Sequence, residues 1–233
     1  MCDWSDLDAW WYRELAEDPS YHVEVRPLFL ELLDAQQGEV VLDLGTGTGW
    51  VLEELGRRDC TGIGVEINPN LAATALEHGP VVVAALPDLS WCRNDAVDGV
   101  TAVLVLEHLA DIVTLFAEAG RVTRSGGAFT LVVNHPQVTA PGSAPVVDPV
   151  DGEVFWRWGE YLEPGSSEEP AGDGTVTFHH RTIADLLTTA AGSGWELETL
   201  IERGLPDEMV EGDPLLALQQ GLPRLLGVRW RRA

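Results

Sequence analysis

Apolar residues fall along the chain in two alternating rhythms. Unbroken runs rich in Val, Ile and Leu occupy Glu39–Leu44, Thr61–Ile67, Pro80–Ala85, Val97–Leu106 and Ala128–Val133. Runs of this kind suit strands covered on both faces. Between them the spacing is helical, over Trp50–Arg57, Pro69–His78 and Leu109–Val122. In the last of these, Leu109, Ile112, Phe116 and Val122 recur near the helical repeat. Strands alternating with helices predict βαβ units, an α/β fold and a parallel sheet. The rhythm stops after the fifth run. Residues 136–178 are rich in Pro, Gly, Ser and acid, and they predict a long loop serving as a lid or binding loop. Order returns at Thr182, whose pairing with Asp185 is a helix-capping signal. Ile183, Leu186, Leu187 and Ala190 then share one apolar face, and Gly192 or Gly194 stops the helix. Trp195–Ile201 and Leu225–Trp230 predict a sixth and a seventh strand, the seventh at the sheet edge with its arginines facing an acidic surface. The first 36 residues predict one or two helices carrying Trp4, Trp10, Trp11, Tyr12, Tyr21 and Arg26.

Composition narrows the partners. The 233 residues suggest a single domain, and a 45% hydrophobic content supplies its core. Against 38 acids stand 14 basic residues, all Arg, for a net charge of −24. Such a surface repels phosphate backbones and anionic lipid, so neither nucleic acid nor membrane is an expected partner. A neutral or cationic small molecule is compatible with it. Cys2, Cys60 and Cys92 share no metal-ligand spacing, so no metal is expected. The acidic N-terminus does not read as a signal peptide, and no apolar run approaches a membrane span. The expected location is cytoplasmic.

The chemistry concentrates where the first strand ends. Val41-Leu42-Asp43-Leu44-Gly45-Thr46-Gly47-Thr48-Gly49-Trp50 closes a strand and opens a helix. Glycines there allow a tight turn and let a ligand approach the backbone. Trp50 stands where the dinucleotide fingerprint G-x-G-x-x-G needs glycine, and a lysine-free chain has no P-loop. Glu66 ends the second strand, where an acid can accept hydrogen bonds from both hydroxyls of a ribose.

Taken with Asp98-Gly99-Val100, Glu107-His108-Leu109 and Arg121-Val122-Thr123-Arg124-Ser125-Gly126-Gly127, this series resembles the class I S-adenosylmethionine-dependent methyltransferases. The resemblance is good over 39–133 and looser beyond. It implies a Rossmann-like, seven-stranded, mostly parallel sheet flanked by helices, within one domain over 1–233. Residues 1–36 would be a helical cap, 39–133 the cofactor-binding core, 136–178 the lid, and 182–233 the last helix and strands. It also implies S-adenosyl-L-methionine as cofactor. Asp43, Gly45, Thr46, Gly47 and Gly49 would hold its amino-acid end and Glu66 its ribose, with Ile67, Ala85, Leu86 and Leu106 lining the site. The family usually has an acid for the adenine amine just before the Leu-Pro that follows its third strand. Val82-Val83-Ala84-Ala85-Leu86-Pro87 has none, which leaves Asp88 or the backbone of Ala85 and Leu86.

A sulfonium is already a strong electrophile, so the protein must hold the acceptor in line, exclude water and remove a proton where needed. A subset similar to ubiquinone-type methyltransferases shares a pattern that falls here on His135-Pro136, Tyr161 and His180-Arg181. It implies His135, His180 and Tyr161 as candidate catalytic groups. Trp11, Tyr21, Trp156 and Arg181 are candidate contacts for a small-molecule acceptor. Three functions fit this pattern. The first is methyl transfer to oxygen, nitrogen or carbon, with the lysine-free composition compatible with bacterial secondary metabolism. The second is a cyclase or rearrangement catalyst using the same cofactor. The third is a noncatalytic cofactor-binding partner protein.

Overall fold

The five apolar runs become β1 (Val40–Leu44), β2 (Thr61–Glu66), β3 (Val81–Val83), β4 (Val97–Val103) and β5 (Thr123–Asn134). The computed structural model describes residue 4 and residues 7–17, 19–171, 174–212, 214–217 and 219–233; Cys2 lies outside the described residues. With β10 (Trp195–Arg203) and β11 (Leu225–Arg232) these strands form one seven-stranded sheet, ordered β3-β2-β1-β4-β5-β11-β10. β11 alone runs against the direction of the other six. The expected sheet is therefore present, with one correction: β11 lies inside it, and β10 is the edge. Burial explains the position, since Leu226, Val228 and Trp230 are at most 1% exposed. The arginines of β11 do meet acids. Arg229 binds Glu198 at 2.7 Å, and Arg231 binds Asp34 at 2.6 Å.

Strand alternation sorts the core onto the two faces. Val41, Val103, Val132 and Leu225 meet α2 (Arg26–Leu32) and α3 (Trp50–Arg57) on one face. Leu42, Leu44, Ala102, Leu131 and Leu226 meet α5 (Ile112–Val122) and α7 (Ile183–Gly192) on the other. Phe116, Phe129, Trp195 and Trp230 interlock there at ring separations of 5.4–5.7 Å. The helix α7 opens with the anticipated capping box of Thr182 and Asp185. The helix α5 starts at Ile112 rather than at Leu109, because Asp111 takes the cap and accepts from the Thr114 amide at 2.9 Å.

The 136–178 segment is not a plain loop. It contains the turn α6 (Pro136–Thr139) and two hairpins, β6 (Ala144–Val147) with β7 (Val154–Arg157) and β8 (Gly165–Ala171) with β9 (Gly174–His180). Its Pro and Gly residues obscured short strands that are fastened by side chains. The Glu168 carboxylate, for example, accepts from the Thr175 and Thr177 hydroxyls across the hairpin at 2.9 and 2.7 Å. At the other end of the chain, α1 (Asp8–Glu17) leads to a π-helical turn (Tyr21–Val25) that runs into α2. Leu7, just before α1, packs on Ala171 and Val176 of the second hairpin. No helix among the described residues is long and apolar enough to cross a membrane.

Candidate cofactor and acceptor site

In open α/β sheets the carboxyl ends of the parallel strands form the binding edge. Here β1 presents Asp43, 2% exposed, in register with Thr101 of β4. The Thr101 hydroxyl donates to Asp43 Oδ1 at 2.7 Å. Burial raises the Asp43 carboxyl to about 7, against the pull of the Thr46 and Thr101 hydroxyls and with help from Glu66. The glycine turn is knitted to β2, since the Gly45 and Thr46 amides donate to the Val65 carbonyl at 2.8 and 2.9 Å. Glu66 closes the other side. It accepts from the Gly47 amide through Oε2 at 2.8 Å and from the Asn68 amide through Oε1 at 2.9 Å. Each oxygen keeps a second lone pair for a hydroxyl.

Two glycines have definite reasons. Gly49 sits at φ 88° as the cap of α3, and a Cβ on it would lie 2.8 Å from Cα of Ala75. Gly47 sits at φ 56°, with the Trp11 indole directly above it. Ile67 and Ala85 are exposed and Leu86 half-buried, giving an open apolar ledge at the ends of β2 and β3. Asp88 is exposed and folds back on the Ser90 amide at 2.8 Å.

Beside the glycine turn lies Arg26, which its pattern along the chain placed only in the N-terminal helices and not at the site. Arg26 stacks on Trp50 at 4.9 Å and over Tyr21 at 6.0 Å, and its Nε is buried without a partner. The signal was available: it is an arginine within the apolar 21–33 segment, 19 residues before Gly45. Tyr21 accepts from the Trp50 indole N–H at 2.5 Å, and burial drives its hydroxyl pKa upward, so it stays protonated.

The three candidate catalytic groups are engaged within the protein. His135, 4% exposed, caps α6 by accepting from the Gln137 amide at 3.1 Å through Nδ1, while Nε2 meets Glu202 at 2.9 Å. His180, 2% exposed, meets the Tyr161 carbonyl at 2.8 Å and the Thr139 hydroxyl at 3.3 Å. Tyr161 offers its hydroxyl oxygen to the Ile183 amide at the start of α7, at 3.2 Å. The three therefore tie the 136–178 segment to α7 and β10. Arg181 has a similar part. Its guanidinium donates to the carbonyls of Leu106 and Ala110 at 3.0 Å each and to that of Leu109, fixing the turn after β4. Trp156 donates to the Ser143 hydroxyl at 2.9 Å within the first hairpin.

The turn after β4 brings up other groups. The His108 ring lies 4.7 Å from Trp4 and 4.8 Å from Phe178, and burial holds its pKa at about 4, so it is neutral at physiological pH. Glu107 is 5% exposed. Asn134 donates to its Oε1 at 2.9 Å, while its Oε2 is buried without a partner. Glu107 lines a cleft of about 30 Å³ with Leu106, Asn134, Thr139, His179 and Arg181. That is room for one or two water-sized groups. A larger cavity of about 200 Å³ lies at the opposite, amino-terminal end of β1, β4 and β5, where Arg124 and Arg231 are already paired with Asp98 and Asp34.

A family profile described as "Methyltransferase domain" matches residues 42–131, the stretch from β1 to β5 that builds this edge. Over 140 residues the chain is 30% identical to a ubiquinone biosynthesis O-methyltransferase of Hahella chejuensis, a match covering 55% of this chain and 58% of that protein. A crystal structure of an S-adenosylmethionine-dependent methyltransferase from Mesorhizobium loti superposes with a TM-score of 0.80 and 25% identity, covering 94% of this chain and all of that one. The chain is similar to the class I S-adenosylmethionine-dependent methyltransferases, in sequence from β1 to β5 and in fold over nearly its whole length. It spans little more than half the length of the first of these relatives. The fold also hosts other chemistry, since a [4+2]-cyclase superposes with a TM-score of 0.58 at 15% identity, covering 88% of this chain and 79% of that one.

The family's cofactor carries an ammonium and a carboxylate on its amino-acid end, a ribose diol and an adenine. This strand edge has a group chemically suited to each. Asp43 is a buried acid, Arg26 a half-buried cation with an enclosed, unused Nε–H, Glu66 a diol acceptor, and the Ile67–Leu86 ledge an apolar seat.

Proposed function

We propose that this protein transfers a methyl group from S-adenosylmethionine to a nucleophilic atom of a small molecule. The juxtaposition of Asp43, the glycine turn and Glu66 on one strand edge carries this reading. The cofactor supplies an activated methyl on a sulfonium, and the protein's residues do the rest. Asp43 and Arg26 orient the amino-acid end, Glu66 the ribose, and Ile67, Ala85 and Leu86 the adenine, with Leu106 beside them. Oxygen is the favoured acceptor atom, supported by the relatives named as O-methyltransferases. The acceptor's polar end enters the cleft beside Glu107, whose unpartnered oxygen is ready for a hydroxyl. His135, His180 and Tyr161 act as supports that shape this face rather than as proton carriers, because their polar atoms are already engaged. Much of the catalysis is then positioning and water exclusion. A cytoplasmic role in bacterial secondary metabolism is in keeping with the lysine-free, Arg-rich composition.

A screen of small phenols, alcohols and amines with methyl-labelled S-adenosylmethionine tests the reading. The expected result is acceptor-dependent release of S-adenosylhomocysteine with the label in the product. Product formed without S-adenosylhomocysteine release would point instead to a cofactor-assisted cyclisation or rearrangement, the chemistry class named for one neighbour of the fold.

A further inference from the structure

The N-terminal helix α1 contains a polar group without a use. Trp11 Nε1 is enclosed by the protein and has no acceptor. A buried donor left unpaired costs about 1–3 kcal/mol, so it normally finds an acceptor or has one supplied. Among the described residues no acceptor is bonded to it. The Tyr21 ring stands perpendicular to the indole at 5.9 Å, and its hydroxyl already accepts from Trp50. Glu66 accepts from the Gly47 and Asn68 amides and makes no bond to the indole. Trp4 and Trp10 press on the indole at 6.2 Å each and leave little freedom to turn the N–H outward.

The position of that N–H identifies its partner. It ends 3.3 Å from where a Cβ on Gly47 would lie, over the turn assigned above to the cofactor's amino-acid end. The Tyr21 ring that meets the indole also carries the Arg26 guanidinium, 6.0 Å from its centre. That end of the cofactor carries its only anion. We infer that Trp11 is a cofactor-binding residue, whose indole N–H donates to the amino-acid carboxylate of S-adenosylmethionine. The inference rests on the methyltransferase reading. It moves Trp11 from the acceptor side, where the sequence had put it, to the cofactor side. It also gives α1 a purpose, because a hydrogen bond from this helix to the ligand ties the N-terminal segment down over the strand edge.

Isothermal titration of the full chain with two probes tests it. S-adenosylhomocysteine has the carboxylate; 5′-methylthioadenosine has the nucleoside and sulfur without it. Trp11→Phe is expected to weaken S-adenosylhomocysteine binding about tenfold or more, as for a lost bond to a charged group, and to leave 5′-methylthioadenosine unchanged. Trp10→Phe is expected to change neither. Unchanged S-adenosylhomocysteine affinity in Trp11→Phe, or an equal loss for both probes, would overturn the assignment. Should Trp11→Phe not fold, trypsin cleavage of the wild-type chain at the exposed Arg13 of α1 serves instead. Slowing by S-adenosylhomocysteine and not by 5′-methylthioadenosine is expected, and equal slowing by both contradicts the proposal. A wild-type chain that binds neither probe refutes the underlying cofactor reading, an outcome separate from failure of Trp11 alone.

Discussion

Asp43 is the residue on which stability and binding pull in opposite directions. Its carboxyl titrates at about 7 when folded, against 3.8 for an ordinary aspartate, chiefly through burial. An acid with a raised folded pKa holds its proton more tightly folded than unfolded, so stability is lost as pH rises from about 4 to about 7. The shift corresponds to roughly 4 kcal/mol at its full extent. A ligand ammonium brought to this acid favours its ionised form, so the pKa falls on binding. The affinity for S-adenosylhomocysteine is therefore expected to fall about tenfold per unit as pH drops below 7 and to level off above it. Asp43→Asn is expected to raise Tm at pH 8 while removing both the affinity and its pH dependence. Titration calorimetry and thermal melts at pH 5.5 to 8.5 measure both quantities. Pronounced binding by Asp43→Asn, or an affinity flat across that range, would count against the role. The histidines illustrate the converse. His135 and His180 stand in a suggestive pattern along the chain, but side-chain type and order do not disclose that both ring nitrogens are taken up by Glu202, Gln137, Tyr161 and Thr139.

Among the elements, the turn between β1 and α3 depends most on a single residue. Gly49 is left-handed and backs onto α4 (Pro69–Ala75), so an added methyl meets both a conformational penalty and the Ala75 backbone. Gly49→Ala is expected to cost about 2–4 kcal/mol, from left-handed strain of about 1–2 kcal/mol plus overpacking. In a domain this size, that lowers Tm by roughly 5–15 °C. A melt within 2 °C of wild type would show that α4 yields without cost. The βαβ elements were legible because each is driven by its own apolar pattern, continuous in the strands and periodic in α5 and α7. The two hairpins of the 136–178 segment were not. Their strands are short, and side chains such as Glu168 and Trp156 fasten them rather than a continuous apolar run.

On the scale of the molecule, β11 marks what a sequence cannot disclose by pattern. Its apolar and arginine residues alternate as an edge strand's would, yet it inserts between β5 and β10, where Trp230 completes the aromatic core. Position in a sheet is a property of pairing, and the β5 partners of β11 lie far back along the chain, from Asn134 opposite Leu225 to Ala128 opposite Arg231. The cofactor end of the site was far more legible, because Asp43, Gly45, Gly47, Gly49 and Glu66 lie within one βαβ unit. The proposed acceptor cleft assembles from the β4 turn, α6 and β9, and only folding brings Glu107, Thr139 and His179 together. The −24 charge likewise resolves into a few buried acids with partners at the site and many solvated ones.

The central claim is that this strand edge binds S-adenosylmethionine. Titration calorimetry of the full chain with S-adenosylhomocysteine at pH 8 tests it most directly. One molecule bound per chain, with affinity at least tenfold weaker in Glu66→Ala, is the predicted result. The absence of binding by the wild-type chain at millimolar ligand, or equal binding by Glu66→Ala, would contradict it.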